Sequence, residues 1–284
     1  MIIAPKLRIG IIGGTGKTGS QFARLFQQQG FNVNVTGSET SSRNAALLRE
    51  CDIIIFSVPL SESVNIITKE MSYAKRKDQL LLDLSSLKSQ QISALLNGAG
   101  EVIGLHPLFG PWTDATGETV VVCPARANDE TVDSLEHVLS TMGLCTKRMT
   151  AEAHDHFMGL LQVLPHVKNL LVARTLQILD ADIAGVFQMS TPPYELELNV
   201  VGRFLDDNPD LYGSIIIDNP DSLKVLTALR SALDECICVV EDRDLPAFSR
   251  LYEGLKRYFG DLTKTGRDRS EACISLLASF SSSP

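Results

Sequence analysis

The chain has 284 residues, of which 44% are hydrophobic and 21% charged, and its formal net charge is −8. This length exceeds a typical single domain of about 100–200 residues, so we expect two domains. The composition argues against a disordered or fibrous protein, and the sequence has no basic cluster of the kind that binds nucleic acid. We therefore expect a small-molecule substrate and a second subunit as partners.

The cysteines and the apolar runs bear on metals, membranes and location. Cys236 and Cys238 form the one close pair among six cysteines, and no second pair completes a zinc site. The sequence has no apolar run of about 18 residues, and the N-terminus does not resemble a signal peptide. We predict a cytoplasmic protein with buried, reduced thiols, no bound metal and no membrane partner.

The first 150 residues alternate between short apolar runs and helical patterns. The run LRIGII occupies residues 7–12, and apolar side chains then recur at helical spacing over residues 22–26. Further strands are predicted at residues 31–35, 52–58, 80–84, 102–105, 119–122 and 145–148. This alternation is typical of an α/β, doubly wound parallel sheet, so we predict a Rossmann domain over residues 1–150.

The pattern becomes helical from residue 151 onward. Helices are predicted at residues 151–179, 193–205, 212–218, 220–241 and 245–259. We therefore predict an all-helical domain over residues 151–284. Its helices between residues 223 and 259 are rich in apolar side chains for an outer domain, which predicts a buried interface between subunits.

A glycine-rich turn follows the first predicted strand. Its pattern is GxGxxG, which allows a tight turn, a close approach of the backbone to a pyrophosphate, and packing of the next helix on its strand. The start of that helix supplies unpaired N–H groups to the phosphates. Because the motif follows a strand and opens a helix, we predict a dinucleotide site. Its predicted residues are Gly14, Thr15, Gly16, Lys17, Thr18 and Gly19.

The end of the second predicted strand bears on the choice of cofactor, since an acid there binds the ribose 2′-hydroxyl of NAD. Gly37 and Ser38 follow the strand, and Arg43 comes soon after. Small hydroxyls and an arginine suit a 2′-phosphate better than a diol, so we favour NADP. NAD stays the alternative, because a shift of two residues would bring Glu39 to the strand end.

Two polar segments follow predicted strands, where sheets of this type hold their active sites. One is DLSSLK, at residues 83–88, and the other is GLHPLFGP, at residues 104–111. Taken alone, His106 suggests a structural histidine before a proline turn. The two segments together predict a polar loop surface that faces the nicotinamide.

These motifs, in this order, resemble those of the prephenate dehydrogenase family. The resemblance also includes Ser57-Val58-Pro59, the stretch of residues 154–166, and the stretch from YELEL at residue 194 to Arg203. It extends over nearly the whole chain and is closest to the dehydrogenase part of the bifunctional enterobacterial type. We therefore expect a monofunctional dehydrogenase. It implies that Ser57 and Pro59 lie at the cofactor.

The resemblance implies an activity and an assembly. The family oxidises and decarboxylates prephenate to 4-hydroxyphenylpyruvate, with hydride transfer to NAD(P)⁺, in the biosynthesis of tyrosine and related aromatic compounds. Family members pair through the helical domain, so a homodimer is expected.

The resemblance also implies residue roles. His106 would accept a hydrogen bond from the C4 hydroxyl and draw its proton as hydride departs, which requires a neutral imidazole. Ser86 would contact the same hydroxyl and steady His106. Arg203 would bind a substrate carboxylate, and Lys88 would lie near the cofactor or a substrate carboxylate. His166 would contact the substrate, with a buried structural histidine as the alternative.

One departure from the family pattern leaves the substrate open. Glu195 stands where the resemblance implies a basic residue. Arogenate, whose amino group replaces the keto group, is therefore an alternative substrate. A relaxed cyclohexadienyl dehydrogenase and an enzyme for a modified prephenate of secondary metabolism are further alternatives.

Two other classes of protein share this architecture. A non-catalytic NAD(P)-binding redox sensor would not need His106, Ser86 and Arg203 together. A hydroxyacid or pyrroline-carboxylate reductase would not need the His-Pro segment.

Overall fold

The structure is a computed structural model that describes residues 1–110 and 113–281. The chain divides into two compact units. Unit 1 comprises Met1–Gln162 and Asp210–Asp221, and unit 2 comprises Val163–Pro209 and the chain from Ser222 onward. The functional division after residue 150 stays a prediction.

Unit 1 is built around a seven-stranded sheet with the strand order β2-β1-β3-β4-β5-β6-β7. The strands are β1 (Arg8–Ile12), β2 (Asn32–Thr36), β3 (Ile53–Phe56), β4 (Leu80–Asp83), β5 (Glu101–Pro107), β6 (Thr119–Arg126) and β7 (Cys145–Arg148). Neighbouring strands pair in parallel, except that β5 and β6 are antiparallel. The predicted Rossmann-type sheet is thus confirmed, with β6 and β7 running opposite to the first five strands.

The reversal of β6 has a simple cause. A parallel pair needs a crossover of about a dozen or more residues, usually a helix, whereas an antiparallel pair needs only a turn or loop. Residues 108–118 connect β5 to β6 and are too few for a helical crossover. Pro111, the last residue of the GLHPLFGP motif, falls in this connection and lies outside the described residues.

Helices cover both faces of the sheet, which requires strands that are apolar on both sides. The helices of unit 1 are α1 (Lys17–Gln28), α2 (Asn44–Glu50), α3 (Leu60–Glu70), α4 (Ser89–Leu95), α5 (Asp129–Thr141) and α6 (Ala151–Met158). Within β3, Ile53 and Ile55 join the core that includes Phe22 of α1, while Ile54 and Phe56 join the core on the other face. Side chains alternate between the two faces of a strand, so each face receives every second residue.

The remaining helices are α7 (Leu164–Ile178), α8 (Ile183–Gln188), α9 (Pro192–Asp206), α10 (Pro209–Asp218), α11 (Ser222–Glu241), α12 (Leu245–Phe259) and α13 (Leu262–Ser281). The predicted helix at residues 151–179 is interrupted by a π-helical turn at Gly159–Val163. Pro165 follows in the first turn of α7 and has no N–H to donate to the preceding turn, which explains the interruption. The sequence did not predict α8 or α13.

Unit 2 has a thin hydrophobic interior. Among its described residues, the buried hydrophobic side chains are Val163, Val167, Leu198, Val201 and Val225. Large apolar side chains are instead exposed, such as Met189 at 82%, Leu223 at 79% and Tyr258 at 86%. Large exposed apolar patches are typical of surfaces that bind another protein.

Candidate active site

The turn between β1 and α1 requires glycine at a position before the predicted motif. Gly13 has a φ of +85°, and a Cβ there would lie 2.1 Å from the carbonyl oxygen of Ser57. No side chain caps α1, whose N-cap is Gly16, and the first turn contains no acidic residue. The N–H groups at this helix start thus suit an anion, so the turn fits the pyrophosphate of a dinucleotide.

Two neighbouring cavities of unit 1 open around this turn. The larger, here called the nucleotide cavity, has a volume of about 480 Å³, and its lining includes Thr15, Gly16, Ser38, Ser57 and Pro59. The smaller, here called the loop cavity, has a volume of about 310 Å³. It shares Gly16, Ser57 and Pro59 with the first and adds Lys17, Thr18 and Ser86. Seven of the ten predicted cofactor residues therefore line one or both of these cavities.

Three predicted cofactor residues line neither of these two cavities. They are Gly14, Gly19 and Arg43. Gly19 packs against the turn itself, since a Cβ there would lie 2.5 Å from the carbonyl oxygen of Gly13. Arg43 is exposed at the end of a 3-10 turn, Ser38–Arg43.

The nucleotide cavity includes an acid that the sequence did not indicate. Glu70, at the end of α3, is buried and lines the cavity together with Asn44. The Asn44 side-chain amide donates to Glu70 Oε1 at 3.1 Å, and Thr36 Oγ1 donates to Asn44 Oδ1 at 2.7 Å. At the end of β2, a Cβ on Gly37 would lie 2.1 Å from Thr15 Oγ1, so a side chain at that position would displace the side chain of Thr15.

His106 is a buried residue within β5, not in a loop as the sequence suggested. It pairs with Val121 of β6, and its side chain is 3% exposed. Its Nδ1 lies 2.8 Å from Nε2 of His154. Burial, the neighbouring His154 and the cation of Lys88 lower the pKa of His106 well below its ordinary value of 6.5. His106 is therefore a neutral imidazole at neutral pH, as the implied role requires.

Asp155 of α6 anchors this group of side chains. Its carboxylate accepts hydrogen bonds from the backbone N–H groups of Lys88 at 2.8 Å and Ser89 at 2.9 Å. Its Oδ1 also lies 2.8 Å from Nδ1 of His154. Burial opposes its ionisation, but the hydrogen bonds from His154 and Ser89 give Asp155 a lowered pKa. Asp155 is therefore a carboxylate, and the sequence did not assign it a role.

Lys88 lies inside the protein, and its implied place near the cofactor or a substrate carboxylate stays a prediction. Its side chain is fully buried, and its ammonium donates to the carboxylate of Asp83 and, at 2.8 Å, to the carbonyl oxygen of Leu105. Gly104 leaves room for this side chain, because a Cβ there would lie 2.8 Å from Lys88 Cδ. This placement favours a structural role for Lys88 in joining β4 to β5.

Ser86 lines the loop cavity but does not hold His106. Ser86 is half-buried, and within the described part of the chain no hydrogen bond joins it to His106. The His106 ring is held by His154 instead. The catalytic role implied for Ser86 stays a prediction.

The two remaining site residues lie on neighbouring helices of unit 2. His166 of α7 is half-buried, and its ring stacks on that of Phe204 with centroids 5.8 Å apart. Burial lowers the pKa of His166, so it is neutral at neutral pH. Arg203 of α9 is exposed and precedes Phe204. The structure thus groups His106 and Lys88 within unit 1, and His166 and Arg203 within unit 2.

Residues 1–110 and 113–281 contain no group of three or more His, Cys, Asp or Glu side chains arranged to hold a metal ion. None of the helices in these ranges combines the length and apolar character needed to cross a membrane.

Two family models match consecutive parts of the chain. One, described as "Prephenate dehydrogenase, nucleotide-binding domain", matches residues 22–146. The other, described as "Prephenate dehydrogenase, dimerization domain", matches residues 150–257. Together they cover most of the sheet-containing and helical regions.

Known proteins and solved structures agree with these matches. The T-protein of Haemophilus influenzae is 30% identical over 259 residues, which cover 90% of this chain and 68% of that protein. A probable arogenate/prephenate dehydrogenase of Methanocaldococcus jannaschii is 30% identical over 293 residues, covering 96% of this chain and 66% of that protein.

A solved prephenate dehydrogenase from Aquifex aeolicus, in complex with hydroxyphenyl propionate and NAD⁺, shares the fold with a TM-score of 0.70. It is 20% identical and covers 89% of this chain and 97% of that structure. The matched family models and the two relatives confirm the resemblance noted in the sequence: the chain belongs to the prephenate dehydrogenase family.

Proposed function

We propose that the chain catalyses the oxidative decarboxylation of prephenate to 4-hydroxyphenylpyruvate, with hydride transfer to NADP⁺ or NAD⁺. The supporting observation is the buried, neutral imidazole of His106 at the carboxyl end of β5. β1, β3, β4 and β5 run parallel, so their carboxyl ends lie at one edge of the sheet. Gly13 and Ser57 follow β1 and β3 at that edge, where such sheets bind their ligands.

The role of His106 follows from the chemistry of a cyclohexadienol. The bound nicotinamide supplies a hydride acceptor. As the hydride leaves C4, positive charge develops there and at the C4 hydroxyl. A neutral His106 accepts the hydrogen bond from this hydroxyl and stabilises that charge. Carbon dioxide leaves C1 with its bonding electrons left in the ring, and aromatisation provides the driving force.

Arg203 and His166 are further proposed substrate ligands, as the resemblance implies. A guanidinium forms paired hydrogen bonds with a carboxylate, and Arg203 on α9 is exposed, so a ligand can reach it. His166 supplies a neutral ring beside Phe204. Glu195, in the first turn of α9, favours arogenate as a second candidate substrate. Its carboxylate is a suitable partner for the amino group of arogenate.

We propose NADP as the preferred cofactor. Ser38, Ser41 and the exposed cation Lys69 line the nucleotide cavity near the end of β2, where a 2′-phosphate needs hydroxyl and cationic partners. Arg43 adds a second cation in the adjoining 3-10 turn. Glu70 supports NAD as the alternative, because it is an acid in the same cavity.

We propose a homodimer joined through the helices of unit 2, acting in the cytoplasm as the sequence suggested. The support is the thin interior of unit 2 and its exposed apolar side chains. On α11, Leu233, Ile237 and Val240 follow the spacing i, i+4, i+7 and are 58%, 44% and 74% exposed. This spacing forms one apolar helix face, which a partner would cover.

The activity is tested by following NADPH and NADH formation with prephenate and with arogenate, each supplied with either oxidised cofactor. We expect turnover of prephenate with the higher kcat/KM for NADP⁺. Faster turnover of arogenate would replace prephenate as the substrate, and no turnover in any combination would refute the proposal.

Arg203→Ala tests the carboxylate site separately. We expect the KM of the substrate to rise about 10- to 100-fold, the loss typical of a hydrogen bond to a charged group, while the KM of the cofactor stays the same. Arg230→Ala is the matched control, since Arg230 is 83% exposed on α11. An unchanged substrate KM in Arg203→Ala would remove Arg203 from the site.

A further inference from the structure

A continuous chain of hydrogen bonds connects His106 to a carboxylate. His106 Nδ1 lies 2.8 Å from His154 Nε2, and His154 Nδ1 lies 2.8 Å from Asp155 Oδ1. The three side chains are 3%, 0% and 2% exposed, so water does not compete for these bonds. His154 uses one ring nitrogen toward each of its two neighbours, so the proton position in one bond determines that in the other.

The direction of the chain is set at Asp155. The two backbone N–H groups of Lys88 and Ser89 donate to its two oxygens, which stabilises the ionised carboxylate. A carboxylate only accepts hydrogen bonds, so the proton of the next bond is on Nδ1 of His154. Burial lowers the pKa of His154, so its imidazole is neutral and has one proton, which leaves Nε2 as an acceptor.

The tautomer of His154 also fixes the proton of the bond between the two rings. Because His154 Nε2 accepts, the proton between the two rings is on Nδ1 of His106. His106 is neutral, so its Nε2 has no proton. In the described part of the chain, no group forms a hydrogen bond with this Nε2.

We propose that His154 and Asp155 are positioning residues that fix the tautomer of His106, so that its Nε2 is the acceptor for the substrate hydroxyl. This inference rests on the proposed function for its catalytic consequence. The arrangement has the logic of a catalytic triad, in which a buried carboxylate orients a histidine and fixes its tautomer. Here a second histidine stands between the carboxylate and the base.

His154 and Asp155 also offset the unfavourable effect of the Lys88 cation on a positively charged His106. The cation of Lys88 is close enough to disfavour a positive charge on His106. When the hydroxyl proton moves toward Nε2 of His106, the charge spreads through the Nδ1–H bond to His154. The carboxylate of Asp155 stabilises it there. The three side chains gain no net proton, because the proton returns to the oxygen of the aromatic product.

The tautomer can be read directly in the protein without substrate. The chain has five histidines, so ¹⁵N-histidine NMR spectra are simple, and His106→Asn identifies the signals of His106. We expect the proton on Nδ1 and a bare Nε2 in the wild type at neutral pH. A proton on Nε2 of His106 would overturn the proposal, whatever reaction the protein catalyses.

Variants of His154 test the catalytic consequence. His154→Leu should lower kcat by about 10- to 1000-fold, with the KM of the cofactor unchanged, because the tautomer of His106 is no longer fixed. His154→Gln should recover part of that loss, since its amide accepts through oxygen and donates through nitrogen. His156→Leu is the control on the same helix, at a residue that is 51% exposed.

The two proposals fail in different ways. If the wild type turns over none of the substrates but has the predicted tautomer, the proposed function fails and the positioning of His106 stands. If the wild type is active while His154→Leu has a kcat within about threefold of it, the positioning proposal fails and the proposed function stands.

Discussion

Lys88 donates from its ammonium to the carboxylate of Asp83, and the two side chains are 0% and 1% exposed. Asp83 ends β4, and Lys88 precedes α4. Lys88 also donates to the carbonyl oxygen of Leu105, the residue before His106. The ion pair therefore connects two strand ends directly beside the proposed base.

Removing Lys88 should destabilise the protein strongly. Lys88→Met leaves the Asp83 carboxylate buried without its cation, and breaking a buried pair typically costs about 3–5 kcal/mol of unfolding free energy. The double variant with Asp83→Leu should recover much of that loss, because neither charge is then buried. Denaturant unfolding measures both values, with the exposed Lys77→Met as control. Equal stability of Lys88→Met and wild type would contradict the ion-pair interpretation.

Stability should fall in acid partly because of His106. Its folded-state pKa is lowered by burial, so the unfolded chain binds a proton more readily. The contribution is present above the unfolded value of 6.5 and is lost as the pH falls through the folded-state pKa. Unfolding at about pH 7.5 and about pH 5 should show a smaller loss for His106→Asn than for wild type. Equal losses would mean that His106 is not held neutral.

Cofactor preference should respond to the cations near β2. Lys69→Ala and Arg43→Ala should each raise the KM of NADP⁺ by up to about tenfold and spare NAD⁺, because only NADP⁺ has a 2′-phosphate. Steady-state kinetics with both cofactors provide the comparison, with Lys77→Ala as a control at an exposed residue that lines neither cavity. An effect on NAD⁺ with none on NADP⁺ would favour the NAD alternative.

The apolar face of α11 should hold the proposed dimer together. Ile237→Asp places a charge in the middle of that face, so we expect light scattering to give half the mass of the wild type. Thermal stability should also fall, because dimerisation stabilises the folded subunits. Lys77→Asp, in unit 1, is the charge-changing control. A wild-type protein that is monomeric at all concentrations would refute the dimer.

The strands could be predicted from the sequence, because residues such as Ile53 and Ile55 lie in short, continuously apolar runs. The reversal of β6 could not be predicted in this way. The direction in which two strands pair depends on the segment that connects them, and the apolar pattern of a strand does not indicate it. Helix α13 was missed because its sequence, LTKTGRDRSEAC at the start, has little apolar periodicity.

In the site, too, local motifs could be predicted from the sequence and contacts between distant residues could not. The glycine turn and His106 stand in local motifs. The pairing of His106 with His154 joins residues 48 positions apart, and Glu70 reaches the nucleotide cavity from the far end of α3. Sequence patterns report periodicity within one element, so contacts between elements of this kind require the fold. Likewise, four cysteines expected to be buried, among them Cys145 and Cys273, are exposed.

The most direct test is to measure carbon dioxide release and NAD(P)H formation together, with prephenate as substrate, for wild type and His106→Asn. We predict equal amounts of the two products from the wild type, and a kcat lower by about 100-fold or more in His106→Asn, since it lacks the neutral base. Reduction of the cofactor without carbon dioxide release, or a His106→Asn rate within about threefold of wild type, would contradict the account.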